Sequence, residues 1–417
     1  MSILQYLANY AEPESTCAPP TDRQYTDVVV VPAFDETPSF LDGLLTVGSK
    51  TTLWIVVVNC SETRTDGEKQ RTRYLAKALS QGGESLSYQG MVLTRTVHGD
   101  LLIIDRCTEG RELPSQQGVG LARKIGCDVA LAWQQQDVIS SSWLHCTDAD
   151  VTLPQNYFAA AHALDDDAST VALCYPFWHQ TESASQAGRA LELYEMSLRY
   201  YVLGLRWAGS KYAFHSIGST MAVRFKAYLQ ARGMPKREAG EDFYLLGKIA
   251  KLGLVRTPRC QAIRIAQRES QRTPFGTGPA TSTILAEMRE GKEFTVYNPR
   301  SFALVREWLE VLDEYAKTCD LGLLDRLSHE TLRDALPLDT EKHLRQAATQ
   351  CKTPKARAQR LHSWFDAFRT LKLIHALRDR GLVDVPWRDA VDSAPFIPEP
   401  DDGEKLRLCL ARVDSRY

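Results

Sequence analysis

Short apolar runs alternate with longer amphipathic stretches through the first part of the chain. Runs of this length that are apolar at nearly every position are typical of strands buried on both faces of a sheet. Residues 68–79 and 120–133 fit helices, and the second has an apolar side chain at every fourth position from Leu121 to Trp133. The alternation predicts an α/β fold with a mostly parallel central sheet. The predicted strands are 28–31, 53–58, 101–105, 143–146 and 171–175.

The pattern becomes wholly helical from about residue 299 onward. Residues 308–315 and 361–368 each carry aromatic and leucine side chains at helical spacing. The segment 187–207 has the same spacing, and its interspersed charges favour packing in a core over a membrane stripe. We therefore expect an all-helical C-terminal region beside the α/β fold. The expected divisions are a lead-in (1–26), an α/β domain (27–280, with halves 27–150 and 151–280) and a helical region (281–417).

Composition and charge narrow the class of protein. The 417 residues are 44% hydrophobic and 24% charged, which is ordinary for globular domains. A formal net charge of −2 gives no overall attraction to nucleic acid or to an anionic membrane, although local basic patches stay open. The ten cysteines are scattered without zinc-ligand spacing, and neither a signal peptide nor a membrane-spanning run is recognisable. We expect a soluble, cytoplasmic protein that does not bind nucleic acid, with peripheral membrane contact and homo-oligomerisation open.

Two carboxylates follow the fourth predicted strand directly. Asp148 and Asp150 lie in the sequence Cys-Thr-Asp-Ala-Asp-Val. Mg²⁺ and Mn²⁺ prefer oxygen ligands and commonly bind through one or two carboxylates while substrate phosphates complete the coordination shell. Two aspartates in a solvated turn are the alternative. Ligands of parallel sheets bind at the carboxyl ends of the strands, and polar residues also follow the strands at 32–36 and 59–62, so the pair is expected to face a shared crevice.

Five short motifs follow one another along the chain between about residues 26 and 280. They are Val-Val-Val-Val-Pro-Ala-Phe-Asp-Glu-Thr (28–37), Val-Val-Val-Asn-Cys-Ser-Glu-Thr (56–63), Gly-Val-Gly-Leu-Ala-Arg-Lys-Ile-Gly (118–126), Asp-Ala-Asp (148–150) and Gly-Glu-Asp (240–242). Their order resembles the family 2 glycosyltransferases, which have the GT-A fold. The departures are Asp35 where the family commonly has Asn, Asn59-Cys60-Ser61 in place of an Asp-rich turn, and no histidine between Glu241 and Ala316 to serve as a third metal ligand.

The resemblance implies a metal-dependent transferase that moves a hexosyl or similar group from a nucleotide-diphosphate sugar to the hydroxyl of a carbohydrate or other acceptor, with inversion. Residues 27–150 would bind the donor and 151–280 the acceptor. Asp242 would be the catalytic base, Glu241 and His215 would contact the acceptor, and Asp150 with Asp148 would bind Mn²⁺ or Mg²⁺. The implied donor-binding residues are Pro32, Phe34, Glu36, Asn59, Ser61, Arg123, Asp148 and Ala149.

Two other functions fit the same acidic pair. A sugar nucleotidyltransferase also binds nucleotide and metal at strand ends, but residues 32–36 lack the glycine-rich basic loop expected of that class. A non-catalytic carbohydrate-binding relative is the second alternative, and the presence of Asp148, Asp150 and Asp242 argues against it. The loop 264–278, with Arg268 and Arg272, is interpreted as a lid over the diphosphate or as an ordinary basic surface loop.

Overall fold

Strands and helices alternate in the first part of the chain, and helices dominate the second. The structure is a computed structural model that describes residues 1–20, 22–181, 185–267, 276–397 and 406–414. The strands are β1 (Asp27–Ala33), β2 (Thr52–Asn59), β3 (Glu84–Ser85), β4 (Met91–Thr96), β5 (Gly99–Arg106), β6 (Trp143–Cys146), β7 (Val151–Thr152), β8 (Thr170–Cys174), β9 (Phe177–His179), β10 (Met221–Arg224), β11 (Leu254–Arg256), β12 (Ile263–Ile265), β13 (Thr295–Val296) and β14 (Val385–Pro386). The helices are α1 (Ile3–Asn9), α2 (Leu41–Leu45), α3 (Asp66–Leu79), α4 (Gly118–Gln135), α5 (Tyr157–His162), α6 (Gln186–Trp207), α7 (Phe225–Gln230), α8 (Glu241–Ile249), α9 (Thr277–Arg289), α10 (Pro299–Thr318), α11 (Glu330–Ala335), α12 (Thr340–Gln350), α13 (Pro354–Trp364), α14 (Ala367–Asp379), α15 (Trp387–Ser393) and α16 (Leu406–Asp414).

The first compact unit comprises residues 1–188 and 216–280 and is built on one large sheet. The strand order is β11-β8-β10-β6-β1-β2-β5-β4-β3. Strands β6, β1, β2 and β5 at its centre are parallel, whereas β10 and β4 pair antiparallel with their neighbours. The predicted α/β class with its parallel central sheet is confirmed.

Burial explains why the central strands read as continuous apolar runs. Every residue of β1 and β2 is buried, and helix α4 packs against both strands. A sheet covered on both faces favours β-branched side chains at consecutive positions rather than at alternate ones. The apolar runs 28–31 and 54–58 therefore lie in strands that are buried on both faces of the sheet, as their composition predicts.

The amino-terminal residues are folded onto helix α4. Tyr6 of α1 is buried, and its hydroxyl donates to the carboxylate of Asp128 over 2.7 Å. Tyr228 donates to the same carboxylate over 2.8 Å, and the ammonium group of Lys124 donates to it over 2.7 Å. Asp128 therefore has partners for its buried charge, as a carboxylate inside a protein requires.

A small second sheet lies directly after the acidic pair. Strand β7 pairs antiparallel with β12, which pairs in parallel with β9. The main-chain carbonyl of Asp150 accepts from the amide of Ala266 over 2.8 Å. The backbone just after the acidic pair is thus fixed by hydrogen bonds within a sheet and does not form a free turn.

The second compact unit comprises residues 189–215 and 281–417 and is mainly helical. Its core is formed around α10, whose Phe302, Val305, Trp308 and Leu312 are fully buried. The helical C-terminal region is confirmed, although it also contains the short antiparallel pair β13 and β14. The segment 189–215 groups with it. Among the described helices, none is both long enough and apolar enough to span a bilayer.

Candidate functional site

Hydrogen bonds connect the ends of neighbouring strands at one edge of the large sheet. The amide of Thr147, just beyond β6, donates to the carbonyl of Val30 over 3.1 Å. The side chain of Asn59, the last residue of β2, is buried and donates to the carbonyl of Ala33 over 3.3 Å. Because β6, β1 and β2 are parallel, their carboxyl ends meet at this edge. The residues that follow these strands are therefore brought close to one another.

The loop after β1 carries two of the predicted donor-binding residues, Phe34 and Glu36, and both are partly exposed. Asp35 between them has a left-handed backbone with φ of 52°. Its carboxylate accepts two hydrogen bonds from Arg71, over 2.6 and 2.9 Å. The guanidinium of Arg64 lies 4.9 Å from the ring centroid of Phe34. These contacts fix the turn, and a role in donor binding stays a prediction for Phe34 and Glu36.

Other predicted donor-binding residues make contacts within the protein. Pro32 is buried inside β1 and pairs with Val57, so it belongs to the strand rather than to the turn. The hydroxyl of Ser61 lies 3.1 Å from that of Thr63. Ala149 is buried between the two aspartates. Their contact with a donor stays a prediction.

Arg123 of α4 joins two acidic groups that are far apart in the sequence. Its guanidinium is buried and donates through Nη1 to Oε1 of Glu241 over 2.7 Å. Through Nη2 it donates to Oδ1 of Asp148. Burial alone would lower the pKa of Arg123, and the two carboxylates raise it well above the ordinary value. The guanidinium is therefore charged and aligns both acids.

The space for this guanidinium depends on Gly218, a residue that sequence reasoning did not single out. A Cβ atom at Gly218 would lie 2.4 Å from Nη1 of Arg123. The neighbouring Ser219 accepts a hydrogen bond from the hydroxyl of Thr147 over 2.8 Å, which ties this turn to the acidic pair. The small residues Ser216, Gly218 and Ser219 were the available signal, because a close approach of two chain segments requires small side chains.

Glu241 and Asp242 open helix α8. The preceding Gly240 has φ of 72°, a left-handed conformation that glycine adopts without strain. Glu241 is buried, and burial raises its pKa to about 7 although Arg123 acts in the opposite direction. Asp242 is partly exposed, and its Oδ1 accepts from the amide of Phe243 over 2.7 Å. Burial also raises the pKa of Asp242. The two adjacent carboxylates differ in that Glu241 accepts a hydrogen bond from Arg123, whereas Asp242 is partly exposed.

The acidic pair offers oxygen ligands of the type that Mg²⁺ and Mn²⁺ prefer. The side chain of Asp148 is 35% exposed, so a ligand can reach it although Arg123 contacts it. Asp150 is partly exposed. The described residues contain no group of three His, Cys, Asp or Glu side chains arranged around a metal position. The donor set fits a divalent cation that takes its remaining ligands from a diphosphate and water.

His215 belongs to the helical unit. It is buried, and its Nε2 lies 2.6 Å from Oδ2 of Asp414 in α16. Arg199 donates to the same oxygen over 2.8 Å. These contacts provide the histidine with a structural role, and its contact with an acceptor stays a prediction. Arg268 and Arg272, the basic residues of the predicted lid, lie outside the described residues.

Comparisons with known proteins give distant structural likenesses. No protein-family model matches the sequence, and neither does any of the curated proteins. S. aureus TarS 1–349 in complex with UDP-GlcNAc has 14% sequence identity and a TM-score of 0.37, over 82% of this chain and 91% of that one. The mannosyltransferase PcManGT from Pyrobaculum calidifontis in complex with GDP-Man and Mn²⁺ has 14% identity and a TM-score of 0.35, over 91% of this chain and 92% of that one. Similarities at this level assign neither a family nor a function.

Proposed function

We propose that the α/β unit is a GT-A type glycosyltransferase, which binds a nucleotide-diphosphate sugar at the carboxyl edge of its sheet and transfers the sugar to an acceptor hydroxyl with inversion. The observation that carries the proposal is the contact of Arg123 with both Asp148 and Glu241. It brings the acidic pair beside α8, whose second residue is the candidate base Asp242. The order of motifs in the sequence supports the same reaction.

In the proposed reaction, Arg123 positions the side chains of Asp148 and Glu241. Its guanidinium forms ion pairs with two carboxylates, so its charge is largely balanced inside the protein. Asp148, oriented by the guanidinium and open to solvent, is suited to accept hydrogen bonds from ribose or sugar hydroxyls. A direct contact between Arg123 and the diphosphate stays a prediction.

The reaction breaks the bond between the anomeric carbon and the diphosphate oxygen while the acceptor oxygen forms a new bond to that carbon. The acceptor proton passes to the base, and the nucleoside diphosphate leaves with the bonding electron pair. A divalent metal, held by Asp150 and Asp148 when bound, would offset the negative charge of the leaving diphosphate. Asp148 orients the sugar, and Glu241 with Arg123 keeps the start of α8 in position.

Asp242 suits the role of base better than Glu241. Glu241 is buried and already accepts a hydrogen bond from Arg123. Asp242 is partly exposed, and its raised pKa makes its carboxylate a stronger proton acceptor than an ordinary aspartate. A carboxylate in this role accelerates a reaction by about 10² to 10⁴.

Product analysis on the purified protein tests the proposal. A panel of nucleotide sugars is incubated with and without Mn²⁺, and the released nucleotide is identified. Release of nucleoside diphosphate supports a transferase, whereas release of pyrophosphate from a nucleoside triphosphate indicates a sugar nucleotidyltransferase. No turnover with any substrate contradicts both and favours a carbohydrate-binding protein.

The base is tested by Asp242→Asn. We expect this variant to lower the rate by about 10² to 10⁴ without a fall in melting temperature, because the neutral amide avoids the burial of a charged carboxylate. Glu238→Gln, in the exposed turn just before α8, is the matched control and should keep the full rate. Equal rates in the two variants would exclude Asp242 as the base.

A further inference from the structure

A cavity in the helical unit has no part in the proposed reaction. It has a volume of about 510 Å³ and lies between the end of α11 and one face of α14. Pro337, Leu373 and Ala376 give it apolar walls. The volume falls within the range of roughly 300 to 1,000 Å³ that small-ligand sites occupy. It is large enough for the head group and glycerol portion of a lipid.

Three cationic side chains line this cavity: Arg369, Lys372 and Arg380. Among the described residues, no carboxylate lies within the 4.0 Å ion-pair distance of any of the three. The carboxylate in the lining, Asp379, lies 3.6 Å from Arg378. The lining therefore carries three cationic side chains against the single carboxylate of Asp379, and the excess positive charge favours an anion.

Large apolar side chains are exposed beside these cations. Leu338, next to Pro337 in the chain, is completely exposed. Phe368 is 39% exposed, and the ammonium group of Lys372 lies 4.7 Å from its ring centroid. Exposed leucine and phenylalanine next to lysine and arginine are typical of protein surfaces that rest on a membrane interface.

We propose that this cavity binds the phosphate of an anionic phospholipid and docks the helical unit on an anionic bilayer surface. The cations contact the phosphate, the apolar walls cover the glycerol portion, and Leu338 and Phe368 enter the acyl boundary. Three cations and two apolar side chains give reversible binding that weakens with salt. The overall charge of −2 is compatible with this because the docking charge is local.

Vesicle co-sedimentation of the full chain tests the proposal. The wild type is expected to bind vesicles of phosphatidylcholine and phosphatidylglycerol and not vesicles of phosphatidylcholine alone. The double variant Lys372→Glu and Arg380→Glu should bind about tenfold more weakly or worse. The matched control is Lys352→Glu with Lys355→Glu, which makes the same charge change at exposed positions outside the cavity and should bind as the wild type does.

Leu338→Ser provides a second variant that is safe for folding because the side chain is fully exposed. This variant should still bind the anionic vesicles at low salt, but as salt is added it should dissociate at a lower salt concentration than the wild type does. Equal binding to both vesicle types, or equal losses in the cavity and control double variants, would overturn the proposal. Thermal stabilisation by glycerol phosphate without any vesicle binding would overturn it too, and would identify a soluble phosphate ligand instead.

Discussion

Nη1 of Arg123 donates to Oε1 of Glu241 over 2.7 Å, and both side chains are buried. The two residues are 118 positions apart in the chain. A buried ion pair contributes little net stability, yet removal of one partner leaves the other charge buried alone. The pair therefore fixes α8 relative to α4, and this placement brings Asp242 to the acidic pair.

Replacement of Arg123 tests this role. At pH 8, where Glu241 is ionised, we expect Arg123→Met to lower the free energy of unfolding by about 3 to 5 kcal/mol, because the carboxylate of Glu241 loses its buried partner. Arg71→Met is the control, since Arg71 is 61% exposed and pairs with Asp35 at the surface. Its expected cost is about 0 to 1 kcal/mol. Urea unfolding of the three proteins measures both values, and similar midpoints for the two variants would contradict the role.

A methyl group at Gly218 should displace the same guanidinium. The added Cβ would lie 2.4 Å from Nη1 of Arg123, and overpacking of this kind costs about 1 to 3 kcal/mol. Gly67→Ala, in the exposed first turn of α3, adds a Cβ with only a 3.4 Å contact to Arg71 and should be neutral or stabilising. Melting temperatures of the two variants decide the matter. A melting temperature of Gly218→Ala equal to that of the wild type would contradict the displacement of the guanidinium.

The stability of the α/β unit should fall as pH rises from about 4.5 to about 7. Burial raises the pKa of Glu241 from 4.5 to about 7, so the folded state holds a proton in this interval that the unfolded chain has released. The stabilisation is complete below 4.5 and lost by about 7. Burial raises the pKa of Asp242 in the same direction.

Glu241→Gln should reduce this pH dependence, because the amide does not titrate while its oxygen can still accept from Arg123. Melting temperatures between pH 4.5 and 8 measure the effect. Glu238→Gln, at an exposed position, should keep the wild-type slope. A slope in Glu241→Gln equal to that of the wild type would show that another group titrates.

Local pattern was sufficient to predict the central strands and helices. The strand predicted at 53–58 lies within β2, and the helix predicted at 120–133 lies within α4. These elements are long or fully buried, so their residues carry a periodic signal. Strands such as β7 and β12, with two and three residues, are too short to carry such a signal, and they form by pairing with each other across a long sequence separation.

The contacts of the candidate site could not be read from spacing. Asp148 and Glu241 were singled out separately, but nothing in the sequence indicated that Arg123 contacts both. His215 lies 199 positions from its partner Asp414, whereas the family resemblance implied a contact with the acceptor. Pairings over such distances are decided by tertiary packing, which a single sequence does not reveal.

The binding of a nucleotide-diphosphate sugar tests the central claim most directly. Melting temperatures of the wild type and of Asp148→Asn are measured with Mn²⁺ and a panel of nucleotide sugars. A donor present at about 100 times its dissociation constant stabilises the folded state by about 2.7 kcal/mol. The account predicts that at least one donor raises the melting temperature of the wild type by several degrees and that Asp148→Asn loses most of this shift. The absence of any shift across the panel, or an equal shift in the variant, would contradict it.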